Sequence, residues 1–294
     1  MSRPVGVVIP TRGDRPALLR EAVLAALAQD HPVDVVVVAD GVPAETVRPQ
    51  VPGHDRVRVV GNRLSPGLPG ARNTGIAACD TELVAFCDDD DLWLPGKLAA
   101  QVRLVETGAE FVSCGIEVEY GTRRVTRLAG TDRVTAADLT RSRMVMVHSS
   151  TFLFRRGTLW VDESAPAGQN EDWDLALRAA GRHPIACADR PLVRVRWGAS
   201  HYVARWADRI AGLEWMLARH PDLAVDPRGA ARIYGQLAFG HAALGHRLDA
   251  ARWAGRALAA RLGEPRAPIA LAVAAGLVPA SRVLALLHRR GHGI

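Results

Sequence analysis

Two acidic clusters in this chain have the composition and placement to do chemistry. The first is Asp88-Asp89-Asp90-Asp91, four carboxylates in a row at the end of the apolar run Leu83-Val84-Ala85-Phe86-Cys87. The second is Glu171-Asp172-Trp173-Asp174. Neighbouring carboxylates repel one another unless something positive sits among them. A hard divalent cation meets that need, and one held by few carboxylates plus substrate phosphates behaves as Mg²⁺ or Mn²⁺ does. A second acid cluster near such an ion then offers a general base. The plainer reading of both is acids at a helix start, where the helix dipole favours them.

The elements around the clusters decide what they meet. Val5 to Ile9, Val33 to Ala39, Val57 to Val60 and Leu83 to Phe86 are short, continuous apolar runs, the pattern of strands buried on both faces. Between the first two, Leu19, Ala22, Val23, Ala26 and Leu27 fall at helical spacing after Pro16. Strands alternating with helices predict a parallel sheet covered on both sides. Ligands of such sheets sit beyond the carboxyl ends of the strands. Three of these ends are polar here: Pro10-Thr11, Asp40-Gly41 and Asp88 to Asp91.

Leu64 to Gly75 reads as a glycine- and proline-rich loop that enters a helix near Ala71, with Arg72 and Asn73 in its first turn. Backbone amides at a helix start can hold an anion. The spacing matches neither a dinucleotide fingerprint nor a P-loop. Lys97 to Glu106 is predicted to continue a helix opened at Pro95, and Phe111 to Tyr120 to be a strand. Gly121 to Arg143 is expected to be a polar surface excursion. Met144 to Phe154 is apolar but holds His148-Ser149-Ser150-Thr151, a polar cluster that either lines a pocket or is hydrogen-bonded in the core. Ile185 to Ala188 and Leu192 to Trp197 are expected as two closing strands.

The totals agree with a globular chain: 294 residues, 48% hydrophobic and 23% charged. Four scattered cysteines point to small core residues of a reduced compartment. No signal peptide or membrane-spanning run is read in the sequence. The net charge of +6 is uneven: residues 1–202 carry 24 Lys+Arg against 25 Asp+Glu, and residues 203–294 carry 13 against 6. From about residue 203 helical patterns take over, and Gly235 to Arg252 has a small-residue helix-turn-helix texture. The basic tail carries no nucleic-acid motif. Packing, pairing of two copies, or contact with an anionic membrane surface are its expected uses.

Val8-Ile9-Pro10-Thr11, Asp40-Gly41, Gly70-Ala71-Arg72-Asn73-Thr74-Gly75, Phe86 through Pro95 and Glu171-Asp172-Trp173-Asp174 come in an order and spacing that resemble family 2 glycosyltransferases of the GT-A fold. The resemblance covers roughly residues 4–201. Two departures are visible. Arg12-Gly13-Asp14 stands where the family usually has Tyr-Asn-Arg, and Ala39 replaces the first acid of Asp-Asp-Gly.

The resemblance implies an α/β chain with a GT-A (Rossmann-like), mixed and mainly parallel sheet flanked by helices, over residues 1–202. An all-α appendage then occupies 203–294. It implies a nucleotide-diphosphate sugar as donor and a carbohydrate, lipid-linked or small-molecule hydroxyl as acceptor. Asp40 would contact the nucleobase beside Pro10, Thr11 and Arg12. Arg72 and Asn73 would lie near the nucleotide, and Asp88 and Asp89 near the ribose or donor sugar. Asp90 would hold Mn²⁺ or Mg²⁺, with Asp88 and His201 as further ligands. Asp172 would be the general base, with Glu171 the other candidate. Transfer would invert the anomeric centre. It would occur once per acceptor, because Val193 stands where processive members have the glutamine of Gln-x-x-Arg-Trp. The implied location is the cytoplasm, with the inner membrane face as a peripheral alternative. A sugar nucleotidyltransferase, or a non-catalytic binder of sugar nucleotides, is the competing reading.

Overall fold

The computed structural model describes residues 4–197 and 205–289. Within them the chain divides into two compact units. The first comprises Met1–Ala136, Met144–Ser164 and Glu171–Trp197, and the second Ala137–Arg143, Ala165–Asn170 and Gly198–Ile294. The second unit thus takes two short pieces from the middle of the chain, which the sequence reading did not anticipate. The expected boundary at 202/203 lies outside the described residues.

The first unit is built on one mixed sheet. Its strands are β1 (Val5–Thr11), β2 (Val33–Ala39), β3 (Val57–Gly61), β4 (Leu83–Phe86), β5 (Leu92–Trp93), β6 (Phe111–Tyr120), β7 (Arg123–Arg127), β8 (Arg133–Val134), β9 (Leu153–Arg155) and β10 (Ile185–Arg196). They lie in the order β3-β2-β1-β4-β9-β6-β10-β5, with β7 beside β6 and β8 beside β10. Strands β3, β2, β1 and β4 run parallel, as do β6 and β10. Strand β9 is antiparallel to both β4 and β6. The apolar runs are buried along their whole length in β1 and nearly so in β2, as a sheet covered on both faces requires.

Helices α1 (Pro16–Leu27), α2 (Ala44–Val47), α3 (Leu68–Ala78), α4 (Lys97–Glu106) and α6 (Glu171–Ala180) belong to this unit. Helix α3 packs unusually close to β1. A Cβ on Gly75 would lie 2.1 Å from a methyl of Val8, so only glycine allows the approach. A Cβ on Gly70 would fall 2.0 Å from the Ser65 carbonyl, so the loop before α3 is folded tightly over its first turns.

Several expectations are corrected. Helix α3 begins at Leu68, not Ala71, because Pro69 fits the first turn where no N–H is needed. Helix α4 does not open at Pro95. Chain reversal at Gly96 (φ 79) separates it from the short strand β5. The carboxylates of 88–91 therefore do not cap this helix. The polar stretch 121–143 is organised: it supplies β7, β8 and helix α5 (Ala136–Arg141). The two closing strands are one, β10, with a register irregularity around Pro191.

The second unit carries α7 (Trp206–Arg219), α8 (Pro227–Ala243), α9 (Arg247–Ala260), α10 (Arg266–Ala274) and α11 (Ala280–Arg289). Helix α10 escaped the sequence reading because Pro265 and Pro268 looked like breaks. Both fall at its start, where proline is tolerated. The core of α8, α9 and α10 is mainly alanine, with Phe239 and Val273 among the larger members. Among the described residues no helix is long and apolar enough to cross a membrane.

Candidate active site

The register of the sheet assembles the site. Thr11 is level with Ala39 on β2, and Val8 with Phe86 on β4. Counting on from Val8 and Phe86 places Thr11 beside Asp89. The Thr11 hydroxyl donates to the Asp89 carboxylate at 2.5 Å. Because β9 runs antiparallel to β4, the residues preceding β9 arrive beyond the end of β4. These are His148 and the single turn Ser149–Thr151.

Each of the four aspartates meets a different environment. Asp88 accepts from Arg72 at 2.6 Å and from the Ser149 hydroxyl at 3.0 Å. Burial opposes its charge, but Arg72, His148 and Ser149 together hold its carboxyl below the ordinary range. Asp91 accepts from the Ser150 hydroxyl at 2.6 Å and lies 3.6 Å from His148 Nδ1. Burial first, then Asp88 and Asp90, pushes Asp91 well above the ordinary carboxylate range. Asp89 is raised to about 6 by burial, with Thr11 and Arg15 opposing. Asp90 is raised as well, burial outweighing the attraction of Arg15.

Arg15, at the start of α1, spans two of them. It lies 2.7 Å from Asp89 and pairs through its other terminal nitrogen with Asp90. Arg72 plays a similar part between the two acidic clusters. It is 1% exposed, bonds to Asp88 and forms a buried ion pair with Glu171. The Asp88 to Asp91 segment and the start of α6 are thereby tied together through one guanidinium. Asp172, beside Glu171, is 7% exposed and accepts the Trp173 amide at 2.8 Å.

The remaining predicted residues divide. Asp40 accepts the Asn62 side-chain amide at 2.8 Å and the Gly67 amide at 3.0 Å, so it fixes the loop before α3. Asn73 is used inside the fold. It donates to the Val161 carbonyl at 2.9 Å and to Glu163 at 2.8 Å, and accepts the Val161 amide at 2.9 Å. Pro10 is buried in β1, whereas Arg12 is exposed. His201 lies outside the described residues.

Three ligand atoms from Asp88, Asp91 and His148 lie within 4.8 Å of one another. Two carboxylates and an imidazole form a donor set that Mn²⁺ accepts readily, and a cation offsets both the burial and the repulsion from Asp88 and Asp90 that raise Asp91. Asp90 faces Arg15 and is not a member of this trio.

A polar and aromatic framework lies underneath. Trp93 donates through Nε1 to the Ser150 carbonyl at 3.0 Å. Lys97, the one lysine of the chain, is fully buried with its ammonium 3.8 Å from the centre of the Trp93 ring. It donates to Gln101 at 2.8 Å, and Gln101 donates to the Thr151 carbonyl at 2.6 Å. Burial lowers Lys97 to about 8.

Sequence reasoning missed Arg15, and it read His148, Ser149 and Ser150 as lining a pocket or bonded in the core without linking them to the aspartates. The signal for the last three was present: a polar run inside an apolar stretch. For Arg15 the signal was weak, a helix-start arginine among several.

The model of the family "Glycosyl transferase family 2" matches residues 6–161. The chain belongs to that family. It is a glycosyltransferase, and its fold is the GT-A fold that the motifs imply. Among curated relatives is YwdF of Bacillus subtilis, an uncharacterized glycosyltransferase. It is 28% identical over 188 residues, which span 60% of this chain and 68% of that one. ExoW, a succinoglycan biosynthesis protein of Rhizobium meliloti, is 36% identical over 98 residues, about 31% of either chain. Two solved structures share the fold. TarS of S. aureus, in complex with UDP-GlcNAc, has a TM-score of 0.56 at 16% identity, covering 98% of this chain and 92% of that one. The mannosyltransferase PcManGT of Pyrobaculum calidifontis, in complex with GDP-Man and Mn²⁺, has a TM-score of 0.55 at 22% identity, covering 97% and 80%.

Proposed function

We propose that this chain transfers a sugar from a nucleotide-diphosphate sugar to an acceptor hydroxyl, with inversion and once per acceptor. The observation that carries the reading is the arrangement of Arg72, which joins the carboxylate cluster at the end of β4 to Glu171 beside Asp172. A donor-binding acid cluster and a candidate base are thereby held by one rigid contact, as a two-substrate displacement needs.

The binding face has the polarity a sugar nucleotide calls for. Asp40, Pro10, Thr11 and Arg12 stand at the ends of β1 and β2, where the nucleoside would lie. Buried Nε atoms of Arg15 and Arg72 have no hydrogen-bond partner among the described residues, which leaves cationic donors unspent around the acids. The donors bound by TarS and PcManGT, UDP-GlcNAc and GDP-Man, belong to the same chemical class.

Asp88, Asp91 and His148 would hold a divalent cation, with Asp90 as the further ligand that the motif implies. When bound, such a cation supplies charge neutralisation for the departing diphosphate. Asp172 takes the proton of the acceptor hydroxyl. The acceptor oxygen then forms its bond to the anomeric carbon on the face opposite the diphosphate. The bond from that carbon to the phosphate oxygen breaks, and its electron pair leaves with the nucleoside diphosphate. One in-line displacement inverts the centre, through an oxocarbenium-like transition state.

The test is release of nucleoside diphosphate from a panel of common sugar nucleotides with Mn²⁺, with and without candidate acceptors. Metal-dependent release, faster with one donor than the rest, is expected. A chain that binds a donor tightly yet never releases diphosphate with any acceptor would be a binding protein instead. The similarity to ExoW, a succinoglycan biosynthesis protein, makes polysaccharide and lipid-linked oligosaccharide acceptors the first to try. The basic C-terminal helices fit an acceptor at an anionic surface.

A further inference from the structure

Helices α8 and α9 meet at a turn whose backbone is fully specified. Gly245 takes φ 80, which glycine adopts without strain. Its amide donates to the Ala242 carbonyl at 3.1 Å, and the His246 amide to the His241 carbonyl at 2.9 Å. These are the two bonds of a Schellman motif, with His241 and His246 at the positions that usually carry an apolar pair. Here both are imidazoles, their ring centres 5.8 Å apart. Asp249, in the first turn of α9, completes a cluster whose ligand atoms lie within 4.8 Å of one another.

Two features set this trio apart from a solvated surface group. Both ring nitrogens of His241 are screened from solvent and have no hydrogen-bond partner among the described residues. His241 is only partly buried, but leaving both its nitrogens dry and unpaired is costly, and a metal is one of the few partners that would satisfy them. Moreover, the three ligands come from one nine-residue turn already fixed by backbone bonds, so little ordering is needed on binding. Among the described residues Asp249 has a long contact to Arg252, at 3.6 Å, to give up.

The geometry points to a second metal site in the C-terminal unit, a two-histidine, one-aspartate site for a borderline transition ion such as Zn²⁺. Nitrogen donors at about 2.0–2.1 Å and a carboxylate oxygen at about 2.0–2.2 Å would require the cluster to contract slightly. The exposed His246 ring is free to make that movement. The fourth position is left to water, or to a ligand from another molecule. The site is distinct in chemistry from the aspartate cluster at the end of β4: it is rich in nitrogen and selects zinc over magnesium. Its consequence is a fastened α8–α9 corner.

The experiment uses the full chain stripped with EDTA and then saturated with Mg²⁺, so that the carboxylate cluster is occupied by a hard ion. Zn²⁺ is titrated by equilibrium dialysis, and Co²⁺ is added in parallel as a spectroscopic probe. The wild type is expected to bind one zinc more than His246→Ala and than Asp249→Asn, and to show intense four-coordinate cobalt bands that both variants lack. Zinc should raise the melting temperature of the wild type and leave that of His246→Ala unchanged. Both variants change exposed or half-exposed groups, and their melting temperatures without zinc report whether they fold. Equal zinc stoichiometry in wild type and variants, or cobalt spectra that are octahedral throughout, would overturn the site.

Discussion

Arg15 lies 2.7 Å from Asp89, although the two are far apart in sequence. Through its second terminal nitrogen the same side chain pairs with Asp90. Two neighbouring carboxylates with raised proton affinity are thus balanced by one forked cation. Arg15→Ala is expected to destabilise the protein by about 1–3 kcal/mol, read as a lower urea midpoint with unchanged slope. Arg15→Lys should recover less than half of that loss, because an ammonium cannot serve two acids with a planar fork.

Arg72 is buried between Asp88 and Glu171. Its replacement by alanine leaves two acids without their cation, at a cost of about 3–5 kcal/mol. Arg72→Lys keeps the charge and loses the bridge. It is expected to fold, and to lower diphosphate release by tenfold or more. Unchanged turnover in a folded Arg72→Lys would remove the coupling of the two clusters from the mechanism.

Asp172→Asn separates base from binding. Transfer to an acceptor should drop by about 10²–10⁴-fold, while donor affinity measured by calorimetry stays within about twofold. If Glu171→Gln instead gave the larger loss of transfer with the ion-pair geometry retained, the roles of the two would be exchanged.

Metal removal gives a further test. EDTA should abolish diphosphate release, and Mn²⁺ should restore it. Asp88→Asn and His148→Ala should both raise the manganese concentration needed for half-maximal rate. A normal manganese requirement in His148→Ala would assign the ion to the aspartates alone.

Alkaline pH probes the core. Burial raises the thiols of Cys79, Cys114 and Cys187 to about 12. Unfolded thiols lose their protons near their ordinary value of 9.0, so the unfolded state binds fewer protons above that pH. Stability is therefore retained below about 9 and lost as pH rises from there toward 12, by about 1.4 kcal/mol per pH unit for each thiol. Lys97, lowered to about 8, has the opposite sign: the unfolded amine stays protonated up to its ordinary 10.5, so this group adds stability between those values. Denaturation of Lys97→Met and the wild type at pH 7.5 and 9.5 isolates it. The wild type should gain on the variant as pH rises.

Much of the first unit was legible because its signals are local. Apolar runs of strand length, the helical spacing after Pro16 and polar strand ends place Thr11, Asp40 and the aspartates at one edge without any knowledge of pairing. What could not be read depends on register and on long-range partners. Nothing local tells that β9 returns antiparallel beside β4, and only that arrangement brings Ser149 and Ser150 to Asp88 and Asp91. Nor does spacing reveal that Arg15 and Arg72 are the cations that make the acid clusters tolerable. In the C-terminal unit, Pro265 and Pro268 masked α10, since a proline that starts a helix looks like one that ends it.

The outer side of β10 is closed by two stubs and not by a full strand. Strand β8 covers Ile185 and Ala186, and β5 covers Val193 and Arg194. Each stub is two residues long. A sheet ending this way exposes almost no continuous row of amides and carbonyls on which a neighbouring molecule could template. Edge-to-edge stacking through β10 should accordingly be disfavoured, and lengthening either stub by design would put that protection at risk.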